Sequence, residues 1–412
     1  MRIVKGIGIA LGVLVIFAVA LSVMFRQEIL RLQYQTSLFT GADQQEHFVR
    51  QEEYYPTVNM AASEDPFLFE NGKPLILPAT FTYKSETFRT NAFLKDTDTA
   101  ALLILKDGEI LYEKYWLTGA RDEQWLSHSL SKSVISAAVG LAVRDGHIKS
   151  IEDPITNYIP ALKESGYNNV RIKDILQMSS GIRWDEDYSD PNSDMNRVGL
   201  AMLLGSSYDK LVASMVNERK PGEYHRYTGM DTQALTYLVA EAVGRPVYEY
   251  LQEELWRPLG AEHDGFWITD RHGRELGLGG LNATARDFAK FAELYRLGGA
   301  WRGIQILPAD WVAASVTPDA PHLQPGDNPL SDHSLGYGYQ WWTPDSESGD
   351  FTGIGIYNQF MYVSPKNGMV IIKLSCNRYY ASEDSPKAYR ELETFAMFRE
   401  IIDSVTPPDI AD

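Results

Sequence analysis

Ser129-Leu130-Ser131-Lys132 opens the run Ser133-Val134-Ile135-Ser136-Ala137-Ala138-Val139-Gly140-Leu141-Ala142-Val143. From Ser131 to Val143 the residues are mostly Ala, Val, Ile and Leu, and Asp145-Gly146 follows, the pattern of a buried helix with a glycine stop. Ser129 and Lys132 stand at i and i+3, so the amine reaches the hydroxyl on one helix face. A hydroxyl is a poor nucleophile until a neighbour takes its proton, and a desolvated lysine can do so. Helix N-terminal amides also favour a developing oxyanion. Lys132 is the one charge between Leu130 and Val143, and a lysine there needs a reason; the competing reading is an amine snorkelling at a helix end. Ser207-Tyr208-Asp209-Lys210 has the same spacing, and there a solvated helix face is expected.

Outward from this helix, Ala100–Leu105, Asp107-Gly108 and Ile110–Tyr112 read as two strands on a tight turn. Residues 150–280 read as mainly helical, with Ile172–Leu176, Thr232–Val243 ending at Gly244, and Val247–Trp256. Gln359–Val363, a Pro365–Gly368 turn and Met369–Leu374 form a second hairpin, and an amphipathic helix Ala388–Ile402 closes the chain. Strands at both ends with helices between predict an α/β (α+β) unit over 95–405, with a helical subdomain inside it. Residues 31–94 read as an extended lead-in. Pro221-Gly222 to Tyr227 precedes the helix near Thr232, which places Tyr227 on a loop; a phenol beside a lysine ammonium is more easily deprotonated and can act as a base.

Residues 1–30 are expected to form a membrane anchor or signal segment. Ile7–Phe25 is an uncharged apolar run of 19 residues flanked by Arg2, Lys5 and Arg26, nearly enough to cross a bilayer core. The alternative is a signal peptide cleaved after Ala20. Either way the body of the chain is exported. The formal charge is −17. The first 31 residues carry +3, which leaves −20 on the remainder and makes nucleic acid an unlikely partner on electrostatic grounds. The single cysteine, Cys376, allows no internal disulfide. HExxH, Walker A and EF-hand patterns are missing, so neither metal nor organic cofactor is expected.

The SxxK tetrapeptide does not stand alone. Leu176-Gln177-Met178-Ser179-Ser180-Gly181-Ile182, Trp184 to Tyr188, the Pro221–Tyr227 loop, Gly279-Gly280-Leu281-Asn282-Ala283-Thr284-Ala285-Arg286-Asp287 and Tyr337-Gly338-Tyr339-Gln340-Trp341-Trp342 accompany it. With them, about residues 95–405 resemble the serine β-lactamase and penicillin-binding-protein superfamily, its class C-like branch, and within that the 6-aminohexanoate-dimer hydrolase group. The resemblance implies an antiparallel sheet flanked by helices and a bacterial, extracytoplasmic serine hydrolase. It implies Ser129 as acylated nucleophile, Lys132 as its proton acceptor, Tyr227 as the shuttle to the leaving group, and a small amide or ester as substrate. For the third superfamily motif, Phe351-Thr352-Gly353 is one alignment and Gly353-Ile354-Gly355 the preferred other, which makes the amides of Ser129 and Ile356 the oxyanion hole.

Two departures bear on substrate. Neither alignment of the third motif supplies a cation, and Gly229 stands where Asn or Ser is common; both argue against an efficient β-lactamase or transpeptidase. A silent envelope scaffold and a penicillin-binding carboxypeptidase are the alternatives to a hydrolase. His128 and His225 read as pocket-rim residues rather than triad members, since no GxSxG elbow exists. The acidic loop Asp185, Glu186, Asp187, Asp190 and Asp194 reads as solvated, with a cation or basic substrate as the other possibility. Trp341 and Trp342 suit packing or a substrate wall equally, and the sequence leaves oligomeric state open.

Overall fold

Strands from the two ends of the chain meet in one antiparallel sheet. The computed structural model describes residues 2–37, 44–188, 190–380, 382 and 385–405. The sheet strands are β1 (Thr99–Lys106), β2 (Glu109–Tyr115), β3 (Gly336–Tyr337), β4 (Trp342–Thr343), β5 (Phe351–Gly355), β6 (Gln359–Ser364) and β7 (Met369–Ser375). Their order is β3-β4-β5-β6-β7-β1-β2, and Ile372 pairing with Leu103 joins the C-terminal hairpin to the N-terminal one. The first turn has Asp107 and Gly108 both at positive φ, 50° and 83°, the conformation that a two-residue hairpin of this hand needs.

The helices used below are α1 (Arg2–Met24), α2 (Arg26–Ser37), α3 (Ser131–Arg144), α4 (Asp194–Leu204), α5 (Gly229–Val243), α6 (Ala285–Arg296) and α7 (Glu391–Val405). Successive strand residues point to opposite faces, and the continuous apolar run of β1 is buried on both. Leu103 and Leu105 join Phe288, Phe291 and the α3 residues in one core, whereas Leu102 and Ile104 join Phe395, Phe398 and Ile401 of α7 in the other. Helix α3 is buried from Ser131 to Ala142 and packs on α5. Thr284 caps α6 by accepting from the Asp287 amide, which accounts for that part of the Gly279–Asp287 motif.

The sequence expectations differ from the fold in several places, among them the helix expected from Thr232, which starts at Gly229, and the helical span 150–280, which contains the strand Gly265–Ile268. Helix α7 begins at Glu391 rather than Ala388 because Tyr389 has φ of 45°, a left-handed conformation that no helix interior tolerates. Val247–Trp256 is α-helical to Leu251 and then widens into a π turn, Gln252–Trp256. Residues 31–94 contain structure of their own: Thr57–Met60 pairs with Gly265–Ile268, Thr80–Tyr83 pairs with Glu86–Arg89, and Phe48, Met60 and Phe81 are buried. The apolar N-terminal segment is helical as α1. Among the described residues, no helix is long and apolar enough to cross a membrane.

Candidate active site

The small sheet formed by Thr57–Met60, Gly265–Ile268, Leu281–Ala283 and Trp125–Leu126 delivers the chain to Ser127 and a single 3-10 turn, His128–Leu130, ahead of α3. His128 takes φ of 46°, a conformation a non-glycine residue keeps only when its surroundings enforce it. The rings of Phe48 and Tyr357, centred 5.1 and 5.0 Å from its imidazole, do so. Ser129 follows and stands at the head of α3. Lys132 Nζ donates to Ser129 Oγ at 2.9 Å and to the Leu278 carbonyl at 2.5 Å. The amine also lies 5.2 Å from the centre of the Tyr227 ring. Ser129, Lys132 and Tyr227 are therefore brought together.

Strand β5 packs against the Ser129 turn. A Cβ added at Gly355 would lie 2.7 Å from the Ser127 carbonyl, and one at Gly353 would lie 3.4 Å from Leu130, so the glycines permit this approach. Tyr357 and Asn358, both left-handed at φ of 70° and 64°, turn the chain from β5 into β6 and fix Ile356 at the strand end. Phe351, the alternative third-motif residue, is packed in the core against Trp341. Ser207 caps the helix Tyr208–Ala213 and Lys210 is exposed, so the second SxxK is a solvated helix start.

Burial lowers Lys132 from 10.5 to about 8, opposed by the Glu186 carboxylate. Tyr227 moves the other way: burial and Glu186 raise its pKa above 10, and the Ser129 hydroxyl only partly offsets them. The expected easier deprotonation of Tyr227 is thus reversed, because desolvation and the Glu186 carboxylate dominate. Burial pushes both His128 and His225 down to about 3. Both imidazoles are neutral at ordinary pH and suited to packing.

A cavity of about 360 Å³ opens over Ser129, with Glu186, Tyr188, Tyr227, Trp342, Ile356 and Glu391 among its walls. Trp342 stacks on Tyr227 at 5.3 Å, whereas Trp341 is fully buried. No Lys or Arg is among the described residues lining it. Glu186 is the residue the sequence reading missed. Its carboxylate accepts from the Gly229 amide at 3.2 Å, the Tyr188 hydroxyl at 3.0 Å and the Trp184 indole. Trp184, Glu186 and Tyr188 turn inward while Arg183, Asp185 and Asp187 are exposed. That alternation, the period of an extended segment, was the available signal.

The Beta-lactamase family model matches residues 90–395. The chain belongs to the Beta-lactamase family. It is 29% identical over 290 residues to the 6-aminohexanoate-dimer hydrolase of Paenarthrobacter ureafaciens, covering 68% of this chain and 74% of that one. The structure named "Putative 6-aminohexanoate-dimer hydrolase from Bacillus anthracis" superposes with a TM-score of 0.80 at 21% identity, over 90% of this chain and 96% of that one. A family VIII carboxylesterase shares the fold at a TM-score of 0.54 and 15% identity, over 75% and 95% of the two chains. The strand end Gly353-Ile354-Gly355 carries no charge, and Glu186 and Glu391 are among the walls of the cavity over Ser129. Among the described residues no cluster of His, Cys, Asp and Glu suits a metal ion.

Proposed function

We propose that the chain is a serine hydrolase that cleaves an amide or carboxylic ester through a Ser129 acyl-enzyme. The observation that carries this is the 2.9 Å contact between a buried lysine amine and the Ser129 hydroxyl. Neutral Lys132 takes the Ser129 proton as Oγ attacks the carbonyl carbon. The amides of Ser129 and Ile356 hold the oxyanion. Tyr227, protonated because its pKa is raised, gives its proton to the departing nitrogen or oxygen and recovers one from the Lys132 ammonium. Water then takes the acyl group from Ser129 by the same steps in reverse.

Glu186 and Glu391 in the cavity wall favour a neutral or cationic substrate and disfavour the anionic carboxylate that a carboxypeptidase must hold. The first amides to screen are therefore linear amides with a neutral amine leaving group; the 6-aminohexanoate dimer of the relative's name, whose leaving half bears a carboxylate, is the contrast. On the sequence run 7–25, whose side chains Leu11 and Val13 to Phe17 are exposed on α1, we place the enzyme at the outer side of the inner membrane, although α1 is not long and apolar enough to cross it. Release of the protein by alkaline carbonate would overturn that placement.

The test of the chemistry is fluorophosphonate labelling of the full chain. The parent gains one adduct, on Ser129, and hydrolyses 4-nitrophenyl acetate; Ser129→Ala does neither. Labelling of the alanine variant at the parent rate sinks the assignment.

A further inference from the structure

A second cavity, also about 360 Å³, lies beside Ser129 and is not used by the mechanism above. Leu126, Ile268, Leu276, Leu278, Met195 and Met202 are among its walls. Tyr188 and Ile356 line both cavities, so the two adjoin at the strand end where the oxyanion hole is proposed. Their linings differ in kind: the first holds Glu186 and Glu391, whereas no carboxylate lines the second. Its charged wall residue, Arg197, is paired with Asp194 at 2.6 Å and is 43% exposed. Leu200 and Leu204, 53% and 55% exposed at i and i+4 on α4, carry the apolar surface outward from the mouth.

The two cavities take opposite sides of the scissile bond. The leaving group has to reach the Tyr227 hydroxyl, and Tyr227 lines the first cavity but not the second. The acyl side, which diverges from the same carbonyl carbon, is left to the second. We propose that this second cavity is the acyl-chain site and that the substrate carries an unbranched aliphatic acyl group. The inference rests on the hydrolase reading, with Tyr227 as acid. A mainly apolar wall of this size, with Gln51, Tyr55, His128 and Asn196 as further polar residues, suits an alkyl chain, and two flexible methionines let it adapt to chain length. Each buried CH2 is expected to raise kcat/KM roughly fourfold until the cavity is full.

The experiment uses the full chain in lipid nanodiscs and 4-nitrophenyl acetate, butyrate, hexanoate and octanoate. Parent kcat/KM is expected to rise with chain length. In Met202→Trp, which fills the cavity, the octanoate-to-acetate ratio of kcat/KM is expected to fall at least tenfold. Partition of the longer esters into lipid is common to both proteins and cancels in that comparison. If Met202→Trp loses acetate turnover, Met195→Trp on the same wall replaces it. Equal chain-length ratios in parent and variant, with acetate still hydrolysed, overturn the acyl site alone. No Ser129-dependent turnover of any ester overturns the hydrolase reading and the acyl site with it.

Discussion

A Lys132 amine titrating near pH 8 sets the shape of the pH–rate profile. At pH 7 about one amine in eleven is neutral, against about one in three thousand for an unshifted lysine at 10.5, so burial raises the working base about 300-fold. If neutral Lys132 is the proton acceptor, kcat/KM for 4-nitrophenyl acetate rises about tenfold per pH unit below pH 7. It then rises about tenfold more to a plateau above pH 9. Glu186 opposes the shift, and Glu186→Gln removes a charge that favours the ammonium. The acid limb of that variant is expected to move to lower pH, by about half a unit or more. The assay is initial-rate nitrophenolate release from pH 6 to 10, with Ser129→Ala subtracted as the uncatalysed background. A parent profile that is flat from pH 6 to 9 refutes Lys132 as the base. A limb unmoved in an active Glu186→Gln variant refutes the coupling.

Two further outcomes separate roles that a single activity assay would merge. Tyr227→Phe is expected to lower amide hydrolysis by about 10²–10⁴-fold, the usual worth of general acid catalysis. Nitrophenyl esters should suffer much less, because nitrophenolate departs without a proton; equal losses on both substrates would contradict the acid role. Lys373 is fully buried on β7, donates to the Asn358 carbonyl at 3.1 Å and is lowered by burial to about 7. Its folded pKa lies below its unfolded one, so between about pH 7 and 10.5 the unfolded chain binds more protons and stability rises with pH. Guanidinium midpoints at pH 6.5, 8 and 9.5 should rise more steeply for the parent than for Lys373→Met; parallel curves would show that the amine does not titrate this way.

What could be read from the sequence was local. Ser129 and Lys132 sit one helical turn apart, so helix geometry alone brings them together. Tyr227 came from its loop and from the resemblance, and the sheet came from hairpins whose turns are written in Asp107-Gly108 and Pro365–Gly368. What could not be read depends on contacts between distant segments. The pairing of Thr57–Met60 with Gly265–Ile268 spans some two hundred residues, and neither segment carries a motif that specifies the other. Glu186 was hidden by its neighbours: Asp185 and Asp187 face solvent, and five acids in one loop average to a hydrophilic signal. Only the alternation with Trp184 and Tyr188 distinguishes it.

The two departures from the family pattern are one electrostatic change. A Cβ at Gly229 would stand 3.3 Å from Glu186 Oε2, so Asn or Ser there would press on the carboxylate and compete for its space. Glycine leaves that space open and offers its own amide to Glu186 instead. The third motif meanwhile contributes Gly353, Ile354 and Gly355, with no cation to pair with a substrate carboxylate or with Glu186. A buried carboxylate needs a compensating positive charge, and within the site Lys132 provides it whenever the amine is protonated. The missing cation at Gly353-Ile354-Gly355 and the presence of Glu186 therefore act in the same direction on the charge beside Ser129. Under the proposed mechanism they make the leaving-group side of the cavity one that repels anions, while Ser129, Lys132 and Tyr227 stay together. In the proposed hydrolase, such a site leaves the acyl-transfer residues in place and changes which molecules can present a carbonyl to them.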